Sequence, residues 1–481
     1  MTSTVIDMLS AGHRGDFCFG DRNQETLSFS DLARRAANVG GLVSRLEAPG
    51  RPVVAVLLPH GPHMVSTLLG VMCHGTAAPL NPKLSSSEIA YILDDLRADV
   101  LLTVPGFHPD GETAARQLGL AVVDCSENND AAMIEPSARP DDVALMLHTS
   151  GTTARPKLVP LTHGNLHASS TAVAGSMRLT ADDRGLVLMP LFHIHGLVGL
   201  LLSSLSVGAQ IHVAGFDALT MQRTIADSGV TWMSAVPTMY QAMLMRPTRP
   251  GSTRLRAVRS SSALLHEQVW TALEHRLDCP VVNSYGMTEA SHQMASTAID
   301  EGASAVGTVG CAAGPEVAVH EADGAIRAVG VGELVVRGAG LTTGYRSPQG
   351  ANDDAFVDGW FRTGDTGSID AAQRIRLLGR LKELINVGGE KVSPFEVEDV
   401  LLAHPFVVEA ASFAMPALLT GEEVHAAVTL CGDVDERELR NFARTRLARF
   451  KTPVRIHIVL DIPKGATGKV QRNALAAQLG L

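Results

Sequence analysis

Short, continuously apolar runs recur along the first part of the chain, and helical patterns separate most of them. The run Val53–Leu58 is typical of a β-strand that is covered on both faces. Comparable runs lie at Val100–Val104, Ala121–Val123, Val143–Leu147, Leu186–Met189, Ile211–Val213 and Val281–Val282. Upstream of them, Ser30 is predicted to cap a helix that contains Leu32 and Ala36. Strands that alternate with helices predict an α/β fold with parallel sheets.

From about Gly302 the pattern changes. Short β-like segments alternate there with Gly-rich turns, at Glu316–His320, Glu333–Val336 and Ile375–Leu378. This pattern predicts a small β-rich, barrel-like module that follows the parallel sheets.

A separate unit is predicted after Gly379. Ser393 and Glu396 form a capping box in which Pro394 is the first helical residue. A second helix is predicted from the spacing of Leu439, Phe442, Ala443, Leu447 and Phe450, and a strand from the alternation of Val454, Ile456, Ile458 and Leu460. We therefore predict an N-terminal domain over residues 1–381, with two parallel-sheet α/β subdomains and the β-rich module. A smaller α+β domain follows over residues 382–481.

The composition is that of a packed globular protein with an acidic balance. Of the 481 residues, 45% are hydrophobic and 19% are charged, and the net charge is −10. These values exclude disordered and collagen-like chains, and they argue against binding of nucleic acid by bulk electrostatics. Small anionic substrates stay open, because a local cluster of donors can outweigh the net charge.

Neither a secretory leader nor a membrane anchor is predicted. The N-terminal segment lacks a basic region followed by an apolar run, and no stretch reaches the roughly 20 apolar residues of a membrane helix. The six cysteines contain no CxxC pair, so neither a structural zinc site nor a disulfide framework is expected. We expect reduced thiols and a cytoplasmic location.

The first segment with candidate chemistry follows the apolar run Val143–Leu147. It is a hydroxyl-rich loop that ends in a lysine, and it consists of Thr149, Ser150, Gly151, Thr152, Thr153 and, further on, Lys157. Backbone N–H groups and hydroxyls in such a loop wrap phosphate oxygens, and the lysine supplies a point charge. The spacing does not match the GxxxxGK[ST] phosphate loop, and the alternative is a polar surface turn.

The second segment, Ser284–Ala290, follows the run Val281–Val282. It places the carboxylate of Glu289 beside the hydroxyl of Thr288, at the carboxyl end of a predicted strand. This position suits a divalent cation that is held on phosphate oxygens. The alternative is an ordinary acidic loop residue.

The third segment, Trp360–Gly367, carries Asp365 in a predicted tight glycine turn, and Gly379–Glu383 follows it. An aspartate in such a turn can accept two hydrogen bonds from a ribose diol. The alternative is an Asx turn in a β-rich module.

The fourth segment, Pro463–Val470, places Lys469 on a Gly-rich tail. It resembles a phosphate loop, but Pro463 stands where that loop requires glycine. A lysine on such a tail suits a mobile charge that visits an active site. The alternative is a solvated surface lysine.

Together and in this order, the four segments closely resemble the core motifs of the adenylate-forming superfamily, which includes acyl-CoA synthetases, luciferases and peptide-synthetase adenylation domains. The resemblance runs from about Leu27 to Arg472. It implies an enzyme that converts ATP and a carboxylic acid into an acyl-adenylate and pyrophosphate. The C-terminal domain then rotates and a thiol attacks the adenylate. ATP, Mg²⁺ and coenzyme A are therefore implied.

The resemblance also implies a role for each matched residue. These roles are phosphate binding by Thr149 to Thr153 and Lys157, adenine binding by Ala263, Tyr285 and Gly286, α-phosphate contact by Thr288, Mg²⁺ binding by Glu289, ribose binding by Asp365 and Arg380, a hinge at Lys382, a coenzyme A tunnel at Gly388 and Gly389, and a bridge from the acid carboxylate to the α-phosphate by Lys469. Three positions depart from the usual pattern, since Ala154 and Leu158 replace common glycines and Leu264 replaces a common proline. The first two are expected either to stiffen the phosphate loop or to alter the release of pyrophosphate, and none of the three removes a catalytic side chain.

The implied acid pocket is rich in histidine and serine, and comprises His193, His195, Ser261, Ser262, Ser284 and His292. Aromatic residues make up 4% of the chain, and polar walls favour a small polar acid over an apolar tail. A second carboxylate that is buried there needs such donors. His193 matches the gate position of the family, which indicates nothing about the substrate.

The segments Pro190–Leu197 and Tyr285–Ser296 look much like those of oxalate–CoA ligases. Malonate–CoA ligases are similar but carry arginine at the position of Ser284, so oxalate is the predicted acid. The alternatives are a larger aliphatic or aromatic acid, an acyl acceptor other than coenzyme A, a kinase or ATPase, and a binding module without catalysis. We expect small-molecule partners and a monomer or homodimer.

Overall fold

A computed structural model of the chain describes residues 3–10, 27–48, 50–125, 136–149, 156–247, 253–464, 470 and 472–481. The first of its four sheets consists of β1 (Val53–Leu57), β2 (Thr76–Pro79), β3 (Val100–Thr103), β4 (Ala121–Asp124), β5 (Val143–His148) and β6 (Leu158–Thr162). The strand order is β4-β3-β1-β2-β5-β6. The strands run parallel up to β5, and β6 pairs antiparallel with β5.

The second sheet repeats this plan. It consists of β7 (Arg184–Val187), β8 (Gln210–Val213), β9 (Trp232–Ala235), β10 (Ala257–Ser260), β11 (Val281–Met287), β12 (His292–Ser296) and β13 (Cys311–Ala312). The order is β13-β12-β11-β10-β9-β7-β8, with β11 to β8 parallel and β12 and β13 added antiparallel. The carboxyl ends of β9, β10 and β11 therefore lie side by side, which is where ligands bind in open α/β sheets.

The third sheet is antiparallel throughout and forms the β-rich module. Its strands are β14 (Glu316–His320), β15 (Ile326–Arg327), β16 (Gly330–Arg337), β17 (Phe356–Val357), β18 (Trp360–Ile369) and β19 (Ile375–Arg380). The fourth sheet belongs to the C-terminal unit and consists of β20 (Ile385–Val387), β21 (Glu390–Val392), β22 (Val407–Ala417), β23 (Gly421–Leu430) and β24 (Arg455–Ile458). The predicted boundary at residue 381 falls between these two sheets.

Helices cover the parallel sheets and the C-terminal sheet. They are α1 (Val5–Ser10), α2 (Phe29–Val43), α3 (Pro62–His74), α4 (Ser86–Leu96), α5 (Pro109–Gln117), α6 (His163–Ser176), α7 (Ile194–Gly196), α8 (Ser203–Leu205), α9 (Met221–Ser228), α10 (Pro237–Leu244), α11 (Glu267–Leu277), α12 (Pro394–Leu402), α13 (Glu436–Arg444) and α14 (Arg472–Gln478). A π-helix, Leu197–Leu202, joins α7 to α8. Within the described ranges, no helix has both the length and the apolar character to cross a bilayer.

The continuously apolar runs are explained by two cores that meet at the first sheet. Val54 and Val56 of β1 join a large hydrophobic cluster that extends through the second sheet, whereas Ala55 and Leu57 join a second cluster on the opposite face. Successive side chains of a strand point to opposite faces, so a strand covered on both sides is apolar at every position. The C-terminal unit has its own core around β23, α12 and α13. The predicted fold class is confirmed.

Several predicted boundaries are wrong. Helix α2 is capped by Ser28 rather than Ser30, because the Ser28 hydroxyl accepts the Asp31 N–H and the Asp31 carboxylate accepts the Ser28 N–H. Helix α13 ends at Arg444, although Leu447 beyond it still packs into the core. Strand β24 ends before the fully exposed Leu460, where the alternation no longer reflects burial.

Candidate active site

The two ends of the predicted phosphate-loop segment are held together where β5 and β6 pair. The Thr149 N–H donates to the Lys157 carbonyl oxygen at 2.9 Å, and the Lys157 N–H donates to Thr149 Oγ1 at 3.3 Å. These bonds hold the backbone of Lys157 beside Thr149, directly before β6 begins. The predicted phosphate ligands Ser150, Gly151, Thr152 and Thr153 lie outside the described residues. Leu158 is a buried residue of β6, so its side chain serves the core rather than the loop.

Lys157 is linked to Glu289 through Tyr345, a residue that no sequence pattern singled out. The Lys157 ammonium lies 4.1 Å from the centroid of the Tyr345 ring, and the Tyr345 hydroxyl donates to Glu289 Oε1 at 2.7 Å. Partial burial lowers the pKa of Lys157, the Lys382 ammonium adds to this, and the Glu289 carboxylate opposes it. The structure thus gathers the loop lysine, the hinge lysine and the candidate metal ligand in one region.

Strand β11 is longer than predicted, and it carries the second segment into the site. It continues through Tyr285 to Met287, and a single turn of 3₁₀-helix follows at Thr288–Ala290. The Glu289 carbonyl accepts the Thr342 N–H at 2.8 Å, which ties this turn to the loop that carries Tyr345. The candidate α-phosphate and metal residues are therefore held by a strand end and a neighbouring loop together.

Tyr285 and Arg380 both contact the carboxylate of Asp365. The Tyr285 hydroxyl donates to Asp365 Oδ2 at 2.6 Å, and Arg380 Nε lies 3.0 Å from Oδ1. Burial first, and the Asp365 charge second, raise the pKa of Tyr285 well above its usual value, so this hydroxyl stays protonated. The Asp365 charge also raises the pKa of Arg380. The predicted adenine and ribose residues thus form one connected group.

The predicted tight turn around Asp365 is wrong, because the segment is the regular strand β18. Its side chains alternate between partly exposed and buried, and Asp365 lies opposite Arg380 of β19. Gly364 adopts a φ of 72°, which glycine tolerates and which shifts the strand locally. Gly367 allows a close approach, since a Cβ there would lie 2.8 Å from both the Arg376 carbonyl oxygen and Leu334. Gly367 therefore serves a close approach between strands, whereas Gly364 has open space around it and serves its positive φ.

His195 lies at the centre of a buried polar cluster. Its Nε2 is 2.6 Å from Ser234 Oγ, and its Nδ1 is 3.1 Å from Ser262 Oγ. Its ring stacks on that of His292, with centroids 5.0 Å apart and 21° between the planes. His193 caps α7 and accepts the His195 N–H on Nδ1 at 3.3 Å. The structure therefore brings the three predicted histidines and Ser262 together, and it adds Ser234.

The other two predicted pocket serines face the backbone. Ser261 donates its hydroxyl hydrogen to the Ser284 carbonyl oxygen at 3.4 Å, and Ser284 donates to the Ser260 carbonyl oxygen at 3.1 Å. Both residues are buried, Ser261 directly after β10 and Ser284 within β11. The hydroxyl hydrogens of both residues are donated to backbone carbonyl groups of the sheet, so neither hydroxyl donates to a ligand in this arrangement.

A buried arginine lies behind the histidines, and no sequence motif predicted it. Arg259 Nη1 donates to Ser234 Oγ at 3.2 Å and to His292 Nε2 at 2.9 Å, and Nη2 donates to Gln293 Oε1 at 3.0 Å. Its side chain is 0% exposed. Burial lowers the pKa of Arg259 to about 9, so it remains a cation at neutral pH. The sequence feature that could have revealed Arg259 is a charged residue within the short strand Ala257–Ser260.

Gly286, a predicted adenine-binding residue, lies directly against His292 of the predicted acid pocket. A Cβ on Gly286 would lie 1.5 Å from the carbonyl oxygen of His292, so β11 and β12 approach too closely there for any side chain. Ala263 is exposed in the turn that follows β10.

The predicted hinge and tunnel residues lie where the C-terminal unit begins. Lys382 lies between β19 and β20. Gly388 and Gly389 form the turn between β20 and β21 with φ values of 61° and 97°, in the region that favours glycine. Arg472 pairs with Glu383, next to the hinge, at 3.2 Å, and it also pairs with Glu398 of α12. Lys469 lies outside the described residues.

The fold and the site together define an enzyme of the acid–CoA ligase class. The chain belongs to the AMP-binding enzyme family, since residues 10–346 match that family and residues 396–469 match the AMP-binding enzyme C-terminal domain. The resemblance that the four motifs indicated is thus confirmed.

Several characterised relatives cover nearly the whole chain. The oxalate–CoA ligase of Arabidopsis thaliana is 39% identical over 93% of this chain and 91% of its own. The sulfoacetate–CoA ligase of Cupriavidus necator is 35% identical over 93% and 92%. The 2-succinylbenzoate–CoA ligase of Bacillus licheniformis is 34% identical over 93% and 94%.

The fold is shared with solved structures of this family. The o-succinylbenzoate coenzyme A synthetase of Bacillus subtilis, in complex with ATP and magnesium ion, superposes with a TM-score of 0.86 at 28% identity, over 98% of both chains. MatB from Rhodopseudomonas palustris, with ATP bound, superposes with a TM-score of 0.90 at 27% identity, over 99% of both chains. The predicted arrangement of the N-terminal parallel sheets and the separate C-terminal domain is confirmed.

Proposed function

We propose that this enzyme activates a small acid with a second anionic group, oxalate in the first place, as an acyl-adenylate and transfers the acyl group to coenzyme A. The observation that carries the choice of acid is the buried cluster of His195, Ser234, Ser262 and His292 at the carboxyl ends of β9 to β11. Such polar groups offset the cost of burying a charged group, whereas an apolar acid would offer them no acceptor.

The named acids of three relatives share this chemistry. Oxalate and 2-succinylbenzoate each carry two carboxylates, and sulfoacetate carries a carboxylate and a sulfonate. In each case one carboxylate reacts and a second anion remains. An enzyme that activates any of these acids therefore needs a pocket that holds the second anion. The size of that pocket would separate oxalate from the larger acids.

The ATP side of the proposal rests on the two connected groups of residues. Lys157, with the loop from Thr149 to Thr153, would hold the phosphates, and Asp365 with Arg380 would hold the ribose. Tyr285 and Ala263 would enclose the adenine next to Gly286. Since Tyr285 stays protonated, its hydroxyl keeps Asp365 oriented through alkaline pH. Thr288 would contact the α-phosphate, and Lys469 would stabilise the charge that builds up there during acid attack.

The residues around Glu289 fit Mg²⁺. This ion usually takes one or two carboxylates together with substrate phosphates. No group of three or more His, Cys, Asp or Glu side chains in the described ranges forms a ready metal cage, so Glu289 would hold the ion jointly with the ATP phosphates. When bound, Mg²⁺ neutralises phosphate charge. The Tyr345 hydroxyl orients the carboxylate for this purpose.

Release of AMP from ATP against a panel of acids, with and without coenzyme A, tests the proposal. The panel contains oxalate, sulfoacetate, malonate, acetate, a medium-chain fatty acid and a hydroxycinnamate, and Lys469→Ala is the inactive control. We expect AMP that depends on coenzyme A with oxalate. AMP with a bulky acid alone would refute the choice of acid, and AMP that ignores coenzyme A would refute the acceptor. Formation of ADP would refute the adenylate.

A further inference from the structure

The guanidinium of Arg259 is a charged group buried inside a sheet. It is fully enclosed in the middle of the second sheet, where a cation costs several kcal/mol unless it is paired. Its hydrogen-bond partners among the described residues are neutral acceptors, namely Ser234, His292 and Gln293. Among the described residues, no carboxylate forms an ion pair with it. A buried cation without a counter-ion in the protein calls for an anion from outside.

The position of Arg259 determines which way the neighbouring hydrogens point. Arginine only donates hydrogen bonds, so Ser234 Oγ and His292 Nε2 must both accept from it. The hydroxyl hydrogen of the buried Ser234 then has one acceptor within reach among the described residues, His195 Nε2 at 2.6 Å, and it is donated there. His195 is consequently neutral and carries its hydrogen on Nδ1, from which it donates to Ser262 Oγ at 3.1 Å.

This relay ends at Ser262, whose own hydroxyl hydrogen has no acceptor among the described residues. Ser262 adopts a φ of 74°, a conformation that is strained for a serine, so the surrounding structure holds it there. It is only partly buried, unlike Ser261 beside it. A strained, partly exposed hydroxyl that must donate is suited to a carboxylate or sulfonate oxygen.

We propose that Arg259 is the positioning residue that makes the acid pocket specific for acids with a second anionic group. It acts in two ways, by the positive potential of its buried charge and by setting the Ser234–His195–Ser262 relay so that Ser262 donates to the non-reacting anion of the substrate. The inference deepens the proposed function and rests on it. It assigns to β10 a role in substrate choice that does not require contact with the acid.

Steady-state kinetics of three variants test this role. Arg259→Gln is expected to raise the KM for oxalate about 10- to 100-fold, the effect of losing hydrogen bonds that act on a charged group, with the KM for ATP changed by less than about twofold. Ser234→Ala and Ser262→Ala are expected to raise the same KM. Because both substitutions interrupt the same relay, the KM of the double variant for oxalate should be no higher than that of the single variant with the larger effect.

Two controls separate the relay from mere folding. Ser204→Ala is a matched control, because Ser204 is equally buried and its hydroxyl has no hydrogen-bond partner among the described residues. It should leave the KM for oxalate within about twofold of wild type. Removal of an unpaired buried charge should also leave the melting temperature of Arg259→Gln without ligand unchanged or raised, whereas a structural role would lower it.

The outcomes distinguish this inference from the proposed function. If wild type turns over oxalate but Arg259→Gln loses acetate and oxalate equally, or if the Ser234 and Ser262 effects add, the inference is overturned and the function stands. If wild type prefers acetate, both the inference and the choice of acid are overturned. If no acid supports AMP release, the proposed function fails, and the inference is decided by binding alone. The inference then requires that oxalate raise the melting temperature of wild type but not that of Arg259→Gln. An equal rise in both proteins, or no rise in wild type, overturns it.

Discussion

Tyr345 shows at the scale of a single residue how two predicted motifs become one site. Its ring lies against Lys157 and its hydroxyl holds Glu289, although the three residues belong to separate parts of the sequence. The two contacts come from different parts of one side chain, so substitution can separate them.

Tyr345→Phe removes the hydroxyl and keeps the ring. We expect the Mg²⁺ concentration that gives half-maximal AMP formation to rise about 5- to 10-fold, because Glu289 loses a hydrogen bond to its carboxylate. The KM for the acid should not change. Titration of Mg²⁺ at saturating ATP measures the effect. Tyr345→Leu, which also removes the ring, should weaken ATP binding further, and equal effects of the two variants would contradict the separate roles.

His163 carries a pH dependence of stability. It is fully buried at the start of α6, where its Nδ1 accepts the Val5 N–H at 3.3 Å, and burial lowers its pKa to about 4. An unfolded chain takes up this proton near pH 6.5. Between these values the unfolded state binds more protons, so the free energy of unfolding falls as the pH falls.

His163→Gln should therefore flatten the acid side of the stability curve. Between about pH 7 and about pH 5, the free energy of unfolding of wild type should fall by about 2 kcal/mol more than that of the variant. Denaturant unfolding followed by circular dichroism at the two pH values measures both. Parallel losses in the two proteins would show that His163 does not contribute.

At the scale of an element, the π-helix Leu197–Leu202 makes room for the acid pocket. Its Gly199 lies against both stacked histidines, and a Cβ there would lie 2.5 Å from His292 Nε2 and 3.2 Å from His195 Cδ2. Such helical bulges are frequent at functional sites. The absence of one side chain thus allows the rings to reach Arg259 and Ser234.

Gly199→Ala should displace His292 and reduce kcat/KM for the acid more than tenfold, as expected for a small displacement of a positioned group. Gly175→Ala in α6 is the matched control, because a Cβ there meets nothing within 4 Å. That change should leave activity intact and stabilise the helix by about 0.5–1 kcal/mol. Steady-state kinetics and thermal unfolding of both variants give the comparison. Full activity of Gly199→Ala would refute the close packing.

At the scale of the whole molecule, a contact between His266 and Asp399 joins the two units. His266 caps α11 of the N-terminal unit and Asp399 lies in α12 of the C-terminal unit. The two half-reactions of the proposed function would need two arrangements of the C-terminal unit. This pair belongs to one arrangement, so its loss should shift the balance between them.

Asp399→Asn is expected to change adenylate formation and thioester formation in opposite directions, each by about 2- to 5-fold. Single-turnover assays of the two half-reactions separate them. Glu396→Gln is the matched control, because Glu396 lies in the same helix but pairs with Lys451 of its own unit at 2.7 Å. A parallel change in both half-reactions, or the same effect in the control, would contradict the link.

The sequence by itself determined the parts of this protein that depend on local pattern. Apolar runs predicted the parallel strands, because a strand covered on both faces has no polar position to interrupt it. Polar residues that follow such runs predicted Lys157 and Glu289 as site residues, and a glycine-rich segment predicted Asp365, whereas His195 was predicted from the family resemblance. Their spacing along the chain was sufficient for the family.

Only the tertiary structure decided which of these residues meet, and through which partners. Tyr345, Ser234 and Arg259 lie in segments without a motif. Ser234 and Arg259 meet because β9 and β10 pair side by side, and Tyr345 reaches Glu289 because its loop is tied to the turn after β11. Ser261 and Ser284, predicted to line the pocket, instead donate to the sheet, since buried backbone carbonyls require donors. Strand order and hydrogen-bond direction belong to the packed molecule, and no local pattern contains them.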